Sequence, residues 1–103
     1  MTKTDTVAKN PLSSELKVAV EIFHCEINSE TVWLGKLVER LRGEVSKNTI
    51  SEALDTLFDW GIVKAEYGPT EKGRAGRLYK ISNEEKKLVK TLYEKYWKSR
   101  YTQ

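Results

Sequence analysis

The sequence is poor in the two residues that disulfide-bonded and metal-binding proteins depend on. Its 103 residues include one cysteine, Cys25, and one histidine, His24. A single cysteine excludes a disulfide within the chain and is typical of the reducing cytoplasm. One adjacent His–Cys pair falls short of the three or four ligands that a protein metal site needs. We therefore expect a cytoplasmic protein without a metal or other cofactor.

Long apolar runs and catalytic groupings are also missing. No stretch approaches the roughly 20 apolar residues of a membrane span, so no membrane partner is expected. No Ser–His–Asp set, carboxylate pair or glycine-rich phosphate loop emerges, which argues against an enzyme. Cys25 lies among core-type residues, so a buried, inert thiol is favoured over a redox sensor.

Charge is plentiful but uneven along the chain. Residues 61–103 hold 11 Lys or Arg and 5 Asp or Glu, whereas residues 1–60 hold 7 and 10. A positive field concentrated in one part of a chain indicates an anionic partner, nucleic acid first and a membrane surface second.

Hydrophobic periodicity predicts helices in the first half of the chain. Residues 1–10 are small and polar, and we expect a disordered arm there. Apolar residues then recur at helical spacing over residues 12–27, after a cap at Asn10 or Ser13, and this helix is expected to end near Cys25. A brief strand is predicted at residues 31–33 and a second helix at residues 34–41, stopped by Gly43.

A third helix follows after a very short turn. Ser46 is a good N-cap, and Gly61 is expected to end the helix. Its buried stripe is predicted to consist of Ile50, Ala53, Leu54, Leu57 and Phe58. Two helices joined so tightly are typical of a helix-turn-helix.

The rest of the chain predicts a hairpin and one more helix. Strands are expected at residues 62–67 and 77–81, joined by a glycine-rich, basic loop. A capping box formed by Ser82 and Glu85 is expected to start a final helix that reaches about Tyr101.

This order of elements, α-β-α-α-β-β-α, resembles the winged helix-turn-helix regulators of the MarR, PadR and ArsR kind. The resemblance is carried by LGKLVERLRGEVSKNTISEALDTLFDWGIVKAEYG and by GRAGRLYKIS, and it covers residues 12–82. It implies an α+β, mostly α fold with a DNA-binding domain at residues 11–82 and a long C-terminal dimerisation helix at residues 83–103. It also implies sequence-specific binding of double-stranded DNA by a homodimeric transcriptional regulator, more often a repressor than an activator.

If the resemblance holds, the third helix is the recognition helix and its start enters the major groove. The residues expected to contact DNA are Ser46, Lys47, Asn48, Thr49, Ser51 and Glu52. Asn pairs with adenine, Lys with guanine or phosphate, and Glu accepts from cytosine. Since DNA would repel Asp55 and Asp59, we expect the helix to insert end-on. The alternative is that this surface is only a cap and a solvated face.

The hairpin and the last helix complete the expected interfaces. Wing contacts to DNA are expected from Lys64, Lys72, Arg74 and Arg77, the alternative being a hairpin that only aids solubility. The dimer interface is expected to comprise Leu88, Val89, Leu92, Tyr93, Tyr96 and Trp97, the alternative being a helix folded entirely onto its own domain.

Two further hypotheses stay open. The aromatic residues Trp33, Trp60 and Trp97 could line a cleft for a small apolar effector, although no residue pattern supports one. The winged helix could also be a protein-interaction module without specific DNA binding, which its exposed acids Glu52, Asp55 and Asp59 favour.

Overall fold

In a computed structural model that describes residues 11–70, 73 and 75–101, the chain forms a helical body with one antiparallel hairpin. The elements in chain order are α1 Ser14–Ile27, α2 Leu34–Arg40, α3 Lys47–Asp59, β1 Val63–Pro69, β2 Ala75–Ile81 and α4 Lys86–Tyr96. Short 3₁₀ turns at Asn83–Glu85 and Lys98–Tyr101 flank α4. The fold is therefore α+β and mostly helical, as predicted. The arm expected over residues 1–10 lies outside the described residues.

Helix α1 is bounded by two local signals, one of which is not recognisable in the sequence. Ser13 caps its start, because the Ser13 hydroxyl accepts a hydrogen bond of 3.2 Å from the Leu16 N–H. At its end, Ser29 adopts a left-handed backbone with φ 58°, and the Glu30 N–H donates to the Cys25 carbonyl at 2.9 Å. This is the hydrogen-bond pattern of a Schellman motif, here with serine in the place that glycine usually takes. The helix consequently ends at Ile27, two residues beyond Cys25, near which its end was expected.

The tight turn between α2 and α3 forms as the sequence predicted. Gly43 has φ 86°, and the Val45 N–H donates to the Leu41 carbonyl at 3.0 Å. Helix α3 ends at a second left-handed glycine, Gly61, with φ 79°. Only glycine adopts this backbone without the steric cost of a Cβ atom, so the two glycines determine where the helices stop.

The strand predicted at residues 31–33 is wrong. In its place lies an extended segment with one ladder-like hydrogen bond, from the Tyr79 N–H to the Val32 carbonyl at 2.9 Å. Trp33 is already the N-cap of α2, so the segment is too short for a second such bond. The element order is therefore α-α-α-β-β-α. The two-stranded hairpin runs from the pair Val63–Ile81 to the pair Pro69–Ala75 near its tip.

The core is built around α1, which is buried on consecutive residues from Val18 to Phe23. A helix buried on consecutive residues is covered on all sides, unlike an amphipathic surface helix. Helices α3 and α4 and strand β2 all pack against it. Phe58, expected in the core, is instead 54% exposed, and Ile27 is 55% exposed. Both lie in the last turn of a helix, where fewer neighbouring elements reach them.

The C-terminal helix is shorter than expected and starts differently. It ends at Tyr96, and the 3₁₀ turn that follows folds Tyr101 back towards α1. The predicted capping box is wrong, because Ser82 is buried and its side chain makes no capping hydrogen bond. The Glu85 N–H donates instead to the Ser82 carbonyl at 3.0 Å. Within the described residues, no helix has both the length and the apolar character needed to cross a bilayer.

Candidate nucleic-acid interface

The first half of α3 presents a polar surface held in place from below. Ile50, Ala53, Leu54 and Leu57 are buried and fix one side of the helix in the core. The opposite side therefore faces outward, as helical geometry requires. The side chains that it exposes, among the predicted DNA contacts, are those of Lys47, Asn48, Ser51 and Glu52.

Two of the predicted contacts, Ser46 and Thr49, bind each other. The Ser46 hydroxyl accepts from the Thr49 N–H at 3.2 Å and donates to the Thr49 hydroxyl oxygen at 2.9 Å. The Ser46 hydroxyl proton is thus taken up by the bond to Thr49, whereas the Thr49 hydroxyl can still donate its own proton to another group. Ser46 is placed to hold the start of the helix and could donate to a phosphate only by giving up the bond to Thr49.

The second half of α3 differs in charge from the first. Asp55 and Asp59 are exposed, and Glu52 borders them one turn earlier. None of the ion pairs in the described part of the chain involves these three carboxylates. The helix therefore carries uncompensated negative charge over its last turns.

The hairpin does not gather its described cations on one surface. Lys64 lies directly opposite Lys80 in the register, whereas Arg77 lies opposite Tyr67. Since successive residues of a strand point to opposite faces, Lys64 and Arg77 project from different faces of the hairpin. Lys80 also pairs with Glu66 at 3.2 Å, which offsets its charge. The other two predicted wing contacts, Lys72 and Arg74, lie outside the described residues.

The C-terminal helix divides its apolar stripe into a buried and an accessible row. Val89, Tyr93 and Trp97 are buried within the protomer, so they are not available as the dimer contacts predicted for them. Leu88 is 49% exposed, and Leu92 and Tyr96 are half-buried. Of the six residues expected at a dimer interface, only the row formed by Leu88, Leu92 and Tyr96 remains accessible.

A buried carboxylate on α1, which was not among the predicted site residues, holds the C-terminal segment. Glu21 is fully buried, and its Oε1 accepts from the Trp97 indole N–H at 3.0 Å and from the Tyr101 hydroxyl. Its Oε2 lies 3.4 Å from the Arg40 guanidinium on α2. One signal was present in the sequence: Glu21 is the only charged residue among the six from Val18 to Phe23. Burial of a charge usually requires such partners.

The aromatic and thiol groups near Glu21 are packed tightly. The His24 ring stacks on the Tyr101 ring with centroids 3.7 Å apart, and its Nδ1 lies 2.8 Å from the Tyr93 hydroxyl. Burial raises the pKa of Tyr101, and the hydrogen bond between its hydroxyl and Glu21 raises it further. Burial also raises the pKa of the Cys25 thiol to about 11, and the nearby Glu21 carboxylate adds to this. The geometry agrees with the interpretation of Cys25 as a buried thiol.

Sites for a metal or a small effector gain no support from the geometry. Among the residues that the structure describes, no three or more His, Cys, Asp and Glu side chains group together to hold a metal ion. The three tryptophans differ in their surroundings, since Trp97 is in the core and Trp60 is exposed after α3. Trp33 borders an open cleft of about 170 Å³ beside α2, where the charged residues Lys36, Glu39 and Arg42 also form the lining. An open, charged cleft is a poor site for an apolar ligand.

No family model matches the chain, and neither a curated protein nor a solved structure matches it. The winged-helix resemblance therefore stays an expectation based on the residues quoted for it.

Proposed function

We propose that this chain is a winged helix-turn-helix protein that binds double-stranded DNA as a homodimer and regulates transcription in the cytoplasm. The observation that carries the proposal is the exposed polar start of α3, supported by a buried stripe and reached by a tight turn from α2. Lys47, Asn48 and Ser51 are hydrogen-bond donors of the kind that read base edges and phosphates. The protein would act as a repressor by covering promoter DNA, with no chemistry of its own.

The position of the acids supports an end-on approach of α3 to the groove. Asp55 and Asp59 lie beyond the polar start of the helix and have no ion-pair partner among the described residues. A helix lying flat in the groove would bring both carboxylates towards phosphates, which Coulomb repulsion disfavours. An approach by the first turns keeps these carboxylates at a distance.

The decisive experiment measures the binding of a short duplex selected from random DNA. The double variant K47A/N48A removes two exposed side chains from the start of α3, and K98A removes an exposed lysine elsewhere as the matched control. We expect K47A/N48A to weaken binding at least tenfold, and the slope of log affinity against log salt to shrink by about one unit for each lost phosphate contact. K98A should change neither quantity.

Two outcomes would contradict the proposal. One is that the wild-type chain fails to bind random duplex DNA at low salt and micromolar concentration. The other is that K98A weakens binding as much as K47A/N48A does, since the effect would then come from net charge alone.

The same assay identifies which face of the hairpin meets DNA. Lys64 and Arg77 project from opposite faces, so K64A and R77A probe the two faces separately. We expect R77A, near the hairpin tip, to reduce the salt slope, and the double variant R74A/R77A to reduce it further. An unchanged slope in all three variants would exclude the hairpin from the interface.

A second candidate function is a protein-interaction module. The observation that favours it is the uncompensated acidic surface of Glu52, Asp55 and Asp59. This function predicts no salt-sensitive DNA binding by the wild-type chain, so the experiment above separates the two candidates.

A further inference from the structure

The accessible row of α4 is an apolar surface with a basic border. Leu88, Leu92 and Tyr96 recur every four residues and so line one side of the helix. Lys95 lies beside this row, with its ammonium group 5.6 Å from the centre of the Tyr96 ring. Lys95 takes part in no ion pair within the described part of the chain.

Pairing of two α4 helices through this row would bring like charges together. Helix α4 contains four lysines and one glutamate, Glu94, which lies on the side away from Leu92. Two copies of Lys95 would then border one apolar contact with no acidic side chain beside it, and such like charges oppose association. The row fits a surface with an apolar centre and a negative border better than it fits itself.

The second half of α3 has this complementary character. Phe58 is 54% exposed although it borders the buried stripe of the helix. Asp55 lies beside it, three residues earlier on the helix, and Asp59 follows it at the end of α3; both carboxylates are exposed. This surface therefore offers an apolar side chain bordered by two unpaired carboxylates.

We propose that the α4 row of one copy docks on the second half of α3 of a second copy, and that the contact is made twice around a twofold axis. The inference rests on the homodimer put forward under Proposed function, and it identifies what the α4 row meets. Twofold pairs of complementary surfaces form closed dimers. The docking also covers Asp55 and Asp59 and leaves the polar start of α3 free.

Two charge-reversed variants test this docking directly. K95E makes the border of the α4 row acidic, and D55K/D59K makes the α3 surface basic. In either variant alone, both contacts of a homodimer join like charges. In a mixture of the two variants, a heterodimer joins opposite charges at both contacts.

Sedimentation at micromolar concentration and low salt is the measurement, with circular dichroism to verify that each variant is folded. We expect the wild-type chain to be dimeric, each variant alone to dissociate with a dissociation constant at least tenfold higher, and the equimolar mixture to recover the dimer. Leu88→Ser should also weaken the dimer at least tenfold. The control Lys90→Glu, on the other side of α4 from Leu92, should leave the dissociation constant within twofold of the wild-type value.

The possible failures are distinguishable. If the charge-reversed variants dimerise like the wild type, or if their mixture does not recover the dimer, the docking proposed here is wrong while the homodimer stands. A wild-type chain that remains monomeric would overturn both. DNA recognition is tested separately, by comparing the affinities of K47A/N48A and of the wild type for a duplex with a single binding site.

Discussion

Replacing Glu21 tests whether one buried carboxylate holds the C-terminal segment on the body of the protein. Its Oε1 accepts from Trp97 and Tyr101, and its Oε2 lies near Arg40 and the Cys25 thiol, so four partners contact one fully buried side chain. Glu21→Gln keeps the shape of the side chain but removes its charge, whereas Glu21→Ala removes every acceptor.

The expected magnitudes follow from the partners. A hydrogen bond to a charged group contributes about 1.5–3 kcal/mol, so Glu21→Gln, which retains one acceptor oxygen, should lower the free energy of unfolding by about 2 kcal/mol. Glu21→Ala leaves the indole and the hydroxyl without their acceptor, whereas Arg40 keeps its ion pair with Glu30. Breaking a buried pair in this way costs about 3–5 kcal/mol. A domain of this size has a total stability of about 5–15 kcal/mol, so either loss is readily measured.

Urea unfolding monitored by tryptophan fluorescence and circular dichroism is the assay. The matched control is Glu44→Gln, which removes a carboxylate that contacts the same C-terminal segment through Arg100 but at a partly exposed position. Such pairs contribute about 0–1 kcal/mol. The expected order of destabilisation is Glu21→Ala, Glu21→Gln, then Glu44→Gln. If Glu21→Gln and Glu44→Gln differed by less than about 0.5 kcal/mol, the reasoning from burial would be refuted.

Three further predictions concern local features. Ser29→Gly should stabilise the protein by about 1 kcal/mol in urea unfolding, since glycine removes the cost of the left-handed backbone at φ 58°; no gain would argue against that conformation. Ser46→Ala should destabilise it by about 1 kcal/mol through loss of the helix cap, and Ser46→Asp should restore most of the loss. Folding raises the Cys25 pKa from 9.0 to about 11, so the thiol ionises at a lower pH in the unfolded chain than in the folded protein. The free energy of unfolding therefore falls as the pH rises between these two values. The stability difference between the wild type and Cys25→Ala should decline over that interval, and the folded wild-type thiol should react slowly with thiol reagents at pH 8.

The helix boundaries that could be predicted are those determined within a few residues. Ser13 and Ser46 cap helices because a hydroxyl reaches an amide only three residues away. Gly43 and Gly61 end helices because they alone lack the Cβ that opposes a left-handed backbone. The end of α1 was predicted only approximately, near Cys25, because serine in the left-handed region is uncommon and Ser29 gives no recognisable signal.

Only the part of the candidate site that depends on local structure could be predicted. The outward direction of Lys47, Asn48 and Ser51 follows from helical periodicity in α3. The separation of Lys64 from Arg77 depends on the register of the hairpin, which the glycine-rich loop of uncertain length left open. The failure of residues 31–33 to form a strand has a similar origin, because a strand exists only where a neighbour supplies hydrogen bonds.

The sequence by itself determined the chain's local structure, namely three capped or glycine-ended helices, a hairpin, and a final amphipathic helix with a stripe too wide to assign. Only the tertiary structure decided which half of that stripe is buried, because the choice depends on how α4 lies against α1. It also decided that Glu21 is buried, since its donors are 76 and 80 residues away in the chain. Interactions within one turn of a helix are encoded by neighbouring residues, whereas contacts between distant segments exist only once the whole core has packed.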